Sequence, residues 1–177
     1  MVTKDMLERA LVRCPTKSKQ SRDKFLLALL YLTGARPFEV TLLKRKDFYE
    51  LPEAPGFLNI RLWNAKLGSR TDYKVRHRVL VLDEKSSFMK ELFTYLNKFT
   101  DPEARVFPWS TDLIEYIVWK ASEYEVCPYT FRHSALGRLA MEPDVGLTQL
   151  MAWKGAKDVN SVSSYIANKP NLPRKIV

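Results

Sequence analysis

Three residues far apart in the chain, Arg36, Arg132 and Tyr165, carry side chains that together can hold a phosphate and attack it. A guanidinium stays protonated and offers a planar fork of donors, which suits the non-bridging oxygens of a phosphodiester. A phenol can form covalent intermediates, but with an ordinary pKa of about 10 it needs electrostatic help. Arg132 follows Tyr129 by three residues, so on a helix both side chains are expected to point the same way. Tyr165 closes a polar run, Asn160-Ser161-Val162-Ser163-Ser164, that has little apolar reason to hold an aromatic. Tyr129 is the rival nucleophile, although its place beside Arg132 suits a positioning group better.

Arg36 lies in a tight corner. Gly34 is a good helix C-cap and Pro37 a good first residue of the next helix, which puts Arg36 at a helix N-terminus. A second positive charge there is unfavourable alone, and an anion reverses the sign. Glu39 offers a competing reading, in which it neutralises Arg36 and caps the helix. Both readings hold together if the carboxylate orients the arginine.

Other chemistries find little support. Nucleotide-type glycine loops, zinc-protease histidine pairs, calcium loops and CxxC pairs are absent from the sequence. The two histidines, His77 and His133, and scattered carboxylates argue against metal-dependent nuclease chemistry, so no metal and no cofactor are expected. What remains is metal-free phosphoryl transfer.

The elements that must position these residues follow from pattern. Residues 3–12 read as a helix capped by Thr3, and residues 17–23 as a basic approach to a helix running through FLLALLYLT to Gly34. That helix is apolar nearly all round and reads as the buried spine. A further helix is expected from Pro37 to Phe48. Residues 57–63 and 73–82 read as two strands joined by a polar turn, 64–72, that contains Lys66, Gly68 and Arg70. In the second strand Val75, His77, Val79 and Val81 share one face, and Lys74, Arg76 and Arg78 the other. With Arg61 on the first strand, this gives a hairpin with a cationic side for a DNA backbone, solvation being the competing explanation for its charges. Residues 86–99 read as an amphipathic helix, 105–109 as a candidate third strand, and 110–124 as a helix capped by Ser110 or Thr111. Pro128 opens two or three short helices that carry Tyr129, Arg132 and Tyr165. The expected fold is α+β, a mostly helical single domain over residues 1–177 with a small antiparallel sheet.

The balance of 29 Lys plus Arg against 20 Asp plus Glu, a formal charge of +9, fits attraction to a polyanion without choosing one. At 177 residues and 46% apolar content the chain can bury its own core. No apolar run is long enough to span a bilayer, and Cys14 and Cys127 have neither disulfide nor metal spacing. A soluble protein in a reduced, intracellular setting is expected.

The motifs occur in a familiar order. Thr33-Gly34-Ala35-Arg36-Pro37-Phe38-Glu39-Val40 resembles the "TG.R..E" signature of the tyrosine recombinases, the phage-integrase family. The basic hairpin with Lys66 resembles the hairpin lysine of that family, and Tyr129-Thr130-Phe131-Arg132-His133 its "HxxRH" motif. Leu150-Met151-Ala152-Trp153 is similar to the "LLGH" segment, and Ser163-Ser164-Tyr165 to the end that carries the nucleophile. Together they span residues 17–168. Tyr129 stands where the motif has its first histidine, as in some integrases of archaeal viruses and plasmids, and the spacing from Trp153 to Tyr165 is longer than usual.

The resemblance implies a site-specific recombinase or integrase that cuts and rejoins double-stranded DNA through a 3′-phosphotyrosyl intermediate, without ATP or metal. Arg36 and Arg132 would clamp the scissile phosphate, and Trp153 would offer its indole N–H to an oxygen. Lys66, favoured over Lys74 by its place in the turn, would protonate the departing 5′ oxygen. Tyr165 would attack. Glu39, His133 and Lys154 would support, His133 also fitting a core histidine and Trp153 a packing role. Arg61, Arg70, Lys74, Arg76 and Arg78 would contact DNA. The resemblance further implies self-association on DNA, from dimer to tetramer, and a place on the host nucleoid. The usual N-terminal clamp domain is not expected within this chain, and residues 166–177 read as a C-terminal tail. A type IB topoisomerase, or a DNA-binding module whose site no longer reacts, are the alternatives.

Overall fold

The computed structural model describes residues 1–14, 19–63, 77–156 and 158–167. Helix α2 (Gln20–Thr33) is its centre: Phe25 to Leu30 are all fully buried. Around it pack α1 (Lys4–Val12), α4 (Met89–Leu96), α5 (Thr111–Ala121) and α6 (Pro128–Met141). Thr3 caps α1 by accepting the Met6 N–H at 3.2 Å, and Ser110 caps α5 through the Leu113 N–H at 3.4 Å. These caps satisfy orphan donors of the first turn.

Gly34 ends α2 with φ +60°, and its N–H donates to the Leu30 carbonyl at 2.9 Å. Pro37 then opens the short α3 (Pro37–Leu42). The left-handed corner lets α2 run directly into α3 while α6 crosses close by. A Cβ on Gly34 would lie 3.0 Å from the Ala135 Cβ and 3.3 Å from the Arg132 Cα.

Helix α3 stops at Leu42, well short of the expected Phe48, because tertiary pairing overrides helical propensity. Leu43 is extended and fully buried, and its carbonyl accepts the Val106 N–H at 3.0 Å. The Arg45 N–H donates to the Ala104 carbonyl at 2.9 Å. A single 3-10 turn, Arg45–Asp47, is closed by the Asp47 carboxylate accepting the Lys44 N–H at 2.9 Å. The chain then enters β1 (Phe48–Leu51). The third strand is therefore β1, whereas the 105–109 stretch contributes only an isolated bridge between Arg105 and Lys44.

The sheet has the order β1, β2 (Ala54–Trp63), β3 (His77–Asp83), all antiparallel. Leu58 pairs with Leu82, Ile60 with Leu80 and Leu62 with Arg78, and this row faces inward. The faces of β3 are the reverse of those expected: Val79 and Val81 are 41% and 51% exposed, while Arg78 is 8% exposed. Alternating valine and leucine leave both faces apolar, so the leucine row, bulkier and opposite Leu58 and Ile60, takes the core. Arg78 goes inward with it.

Helix α6 carries a second, smaller apolar cluster. Leu136 and Ala140 pack there with Leu150 of α7 (Leu147–Lys154) and Val162 of α8 (Asn160–Ala167), and Trp153 touches both clusters. Among the described residues, no helix is long and apolar enough to cross a membrane.

Replacing Gly34 by alanine forces a side chain into a left-handed conformation against the α6 backbone. Gly34→Ala is expected to lower the unfolding free energy by about 1–3 kcal/mol in denaturant titration. An unchanged midpoint would show that the corner is not fixed as described.

Candidate active site

The corner after α2 and the strand β3 meet at one carboxylate. Glu39 is 0% exposed and accepts the Arg36 main-chain N–H at 2.7 Å and the Arg36 guanidinium at 2.8 Å. Arg78 donates both terminal nitrogens to the same carboxylate, at 2.7 and 2.8 Å. Burial opposes ionisation of Glu39, but the hydrogen bonds and charge of Arg78, joined by those of Arg36, outweigh it and hold the carboxyl below its ordinary value. Arg78 is thus an internal ion-pair partner, not part of an outward cationic face.

Arg132 reaches the same region from α6. It is 6% exposed and donates to two main-chain carbonyls, Gly34 at 2.7 Å and Lys154 at 2.6 Å. Burial, and then the positive charge of Arg36, push its pKa down to about 10, with Glu39 pulling the other way. It remains charged at neutral pH. Two guanidinium groups therefore bond the Glu39 carboxylate, and a third lies close enough to feel its charge, which leaves the region suited to an anion.

Beyond Lys154 the chain turns through α8 to Tyr165. The Lys154 ammonium donates to the Ser161 carbonyl and lies 5.5 Å from the centre of the Tyr165 ring. Tyr165 feels the charge of Arg132, which favours the phenolate, but burial dominates and raises the phenol above its ordinary value. Its hydroxyl lies 2.5 Å from Nδ1 of His133, with the rings stacked at 29°. Tyr165 and His133 line an open cavity of about 480 Å³ together with Tyr129 and Cys127.

Two placements differ from expectation. Tyr129 is 57% exposed in that cavity, while Arg132 is buried against the two carbonyls, so the pair do not share an environment. Three residues span about 300° on a helix, and here the remaining angle separates outside from inside. The Trp153 indole N–H donates to the Thr33 carbonyl at 3.0 Å instead of projecting free for a phosphate oxygen. It pins α7 to the end of α2. His133 is exposed and bonded to Tyr165, not to backbone.

Lys66, Arg70, Lys74 and Arg76 lie outside the described residues. Arg61 is half-buried on the outer sheet face, 5.5 Å from the centre of the Tyr49 ring. Among the described residues, no group of His, Cys, Asp and Glu is arranged to hold a metal ion. Sequence reasoning placed Arg78 among the DNA contacts and His133 in support, and missed the pairing of Arg78 with Glu39 and of His133 with Tyr165. For Arg78 the signal was its place on one strand face with Leu80 and Leu82; for the contact of His133 with Tyr165 the sequence holds none.

Neither a protein-family model nor a curated protein matches the sequence. Solved structures do match. The XerH site-specific recombinase, in a post-cleavage complex with its palindromic difH substrate, superposes with a TM-score of 0.69 at 16% identity over 94% of this chain. The XerA recombinase gives 0.66 at 19% identity over 93%, and the catalytic domain of the bacteriophage HP1 integrase 0.62 at 16% over 96%. The chain has the fold of the tyrosine recombinase catalytic domain. It spans 49% of the XerH chain and 59% of the XerA chain, but 88% of the HP1 domain.

The Glu39 carboxyl ionises below 4.5 in the folded chain, so the stability it contributes is complete above that pH and declines as pH falls through the folded value. Glu39→Ala is expected to cost about 3–5 kcal/mol at neutral pH by leaving two cations without their carboxylate. Denaturant titrations should show the gap to wild type narrowing in acid; a constant gap would contradict the ion-pair account.

Proposed function

We propose that this chain is the catalytic domain of a site-specific DNA recombinase or integrase that exchanges strands through a 3′-phosphotyrosyl intermediate. The observation that carries the reading is the place of Arg132: one buried guanidinium joins the Arg36 corner to the end of α7, just before the helix that carries Tyr165, and its charge acts on that phenol. The fold and the order of motifs support it, as does the excess of 29 basic over 20 acidic residues. XerH and the Tn1549 integrase are both solved bound to DNA, which supports double-stranded DNA as the partner here.

In this mechanism Arg36 and Arg132 bind the non-bridging oxygens and stabilise the charge that gathers there as Tyr165 attacks. Glu39 and Arg78 orient Arg36. Trp153, with its N–H occupied, holds α7 in register. Lys66 supplies the proton for the departing 5′ oxygen, as the resemblance implies. A phosphodiester becomes a phosphotyrosyl ester, and a second DNA hydroxyl reverses the exchange, so the energy of the linkage is retained. Assembly of two to four copies on DNA, and service to the mobile genome of an archaeal virus or plasmid, belong to the same proposal.

A pool of nicked duplexes of randomised sequence, incubated in chelator and resolved under denaturing conditions, tests the reading. Wild type should form a protein–DNA adduct and Tyr165→Phe none. Arg36→Ala, which leaves Glu39 paired with Arg78, should slow adduct formation about 10²–10³-fold. Adduct persisting in Tyr165→Phe would move the nucleophile elsewhere.

A further inference from the structure

Attack by Tyr165 needs an acceptor for its proton, and Tyr129, standing where the resemblance expects a histidine, is a poor acceptor at neutral pH. We propose that His133 is the general base for Tyr165, taking the phenol proton on Nδ1 as the phosphotyrosyl bond forms. This rests on the recombinase reading and adds a residue to it.

The geometry is direct. The Tyr165 hydroxyl stands 2.5 Å from Nδ1, within reach for proton transfer, and accepts its place as donor when the imidazole carries its own hydrogen on Nε2. Among the described residues lining the shared cavity there is no carboxylate, and the nitrogen within hydrogen-bond reach of the Tyr165 hydroxyl is Nδ1 of His133. The cavity is open, so a DNA strand can approach the hydroxyl. Burial keeps the phenol protonated and Arg132 offsets this only in part, so the nucleophile arrives with a proton to lose. The other titratable groups around the pair are Cys127, Tyr129 and Arg132 on the α6 side, Lys154 on α7, and Met1 at the rim.

In the forward step the Tyr165 oxygen bonds to phosphorus and the bond from phosphorus to the 5′ oxygen breaks. The phenol proton passes to His133, which becomes imidazolium, and the 5′ oxygen takes a proton from a separate donor, the part given to Lys66. In rejoining, a 5′ hydroxyl returns its proton to that separate group as its oxygen attacks phosphorus, the phosphotyrosyl bond breaks, and the imidazolium returns its proton to the phenol.

Single-turnover adduct formation on the nicked-duplex pool, with either oxygen or sulfur as the 5′ leaving atom, separates base from acid. His133→Gln should lower the rate about 10²–10⁴-fold with DNA binding unchanged, and sulfur should not restore it, because a thiolate leaves without an acid. Free imidazole should restore part of the activity of His133→Ala. A His133→Gln rate close to wild type, or a defect repaired by the sulfur leaving group, would overturn the assignment. Absence of any wild-type adduct, or its persistence in Tyr165→Phe, would instead overturn the recombinase reading.

Discussion

The structure turns on a buried cation held by main-chain carbonyls. Arg132 donates to Gly34 at the end of α2 and to Lys154 at the end of α7, segments distant in sequence, and neither partner carries a full charge. A carboxylate in either place would have neutralised the guanidinium. Carbonyl dipoles satisfy its donors while leaving its charge in place, which a structural salt bridge cannot do. The same bonds fix the geometry: the α2 corner sets where Arg36 lies, and the end of α7 sets where α8 begins. The Trp153 N–H on the Thr33 carbonyl runs parallel to this clasp and tightens it.

Glu39 is the counterweight. Its carboxylate is shared between Arg36 and Arg78, so β3 and α3 meet at one buried point and the sheet is tied to the helical body. One acid for three neighbouring guanidinium groups leaves the region positive, and the burial cost appears in the depressed pKa of Arg132. A further acid would relieve that repulsion, and in the proposed function it would compete with the phosphate.

Local signals carried far in the sequence. Gly34 and Pro37 specify a corner whatever surrounds it, Thr3 and Ser110 specify caps, and the apolar run of α2 specifies a spine, because each depends on backbone geometry or burial alone. The ordered motifs likewise contained Arg36, Arg132 and Tyr165, and the charge of Arg132 acts on the other two. What was not legible depended on partners distant in the chain. The end of α3 is set by pairing with residues 104–106, and the inward turn of Arg78 by a carboxylate 39 residues earlier. The contact of Tyr165 with His133 joins two helices across 32 residues, which no periodicity encodes.

The two halves of the site are held with unequal firmness. Arg36, Glu39, Arg78 and Arg132 sit against the main core around α2, where fully buried side chains surround them. Tyr165 rides on an eight-residue helix, too short to persist alone in water. Its fully buried anchor is Val162, worth about 1.5–3 kcal/mol, with Tyr165 and Ile166 adding partial burial. The link back to the clamp runs through Lys154, whose ammonium holds the Ser161 carbonyl and whose own carbonyl holds Arg132. In the proposed reaction, a tyrosine bonded to a DNA strand would have to follow that strand while the phosphate stays clamped. Two polar ties would then have to yield, the Lys154 bond to Ser161 near the start of α8 and the Tyr165 bond to His133 near its end, whereas the carbonyl bonds of Arg132 need not change.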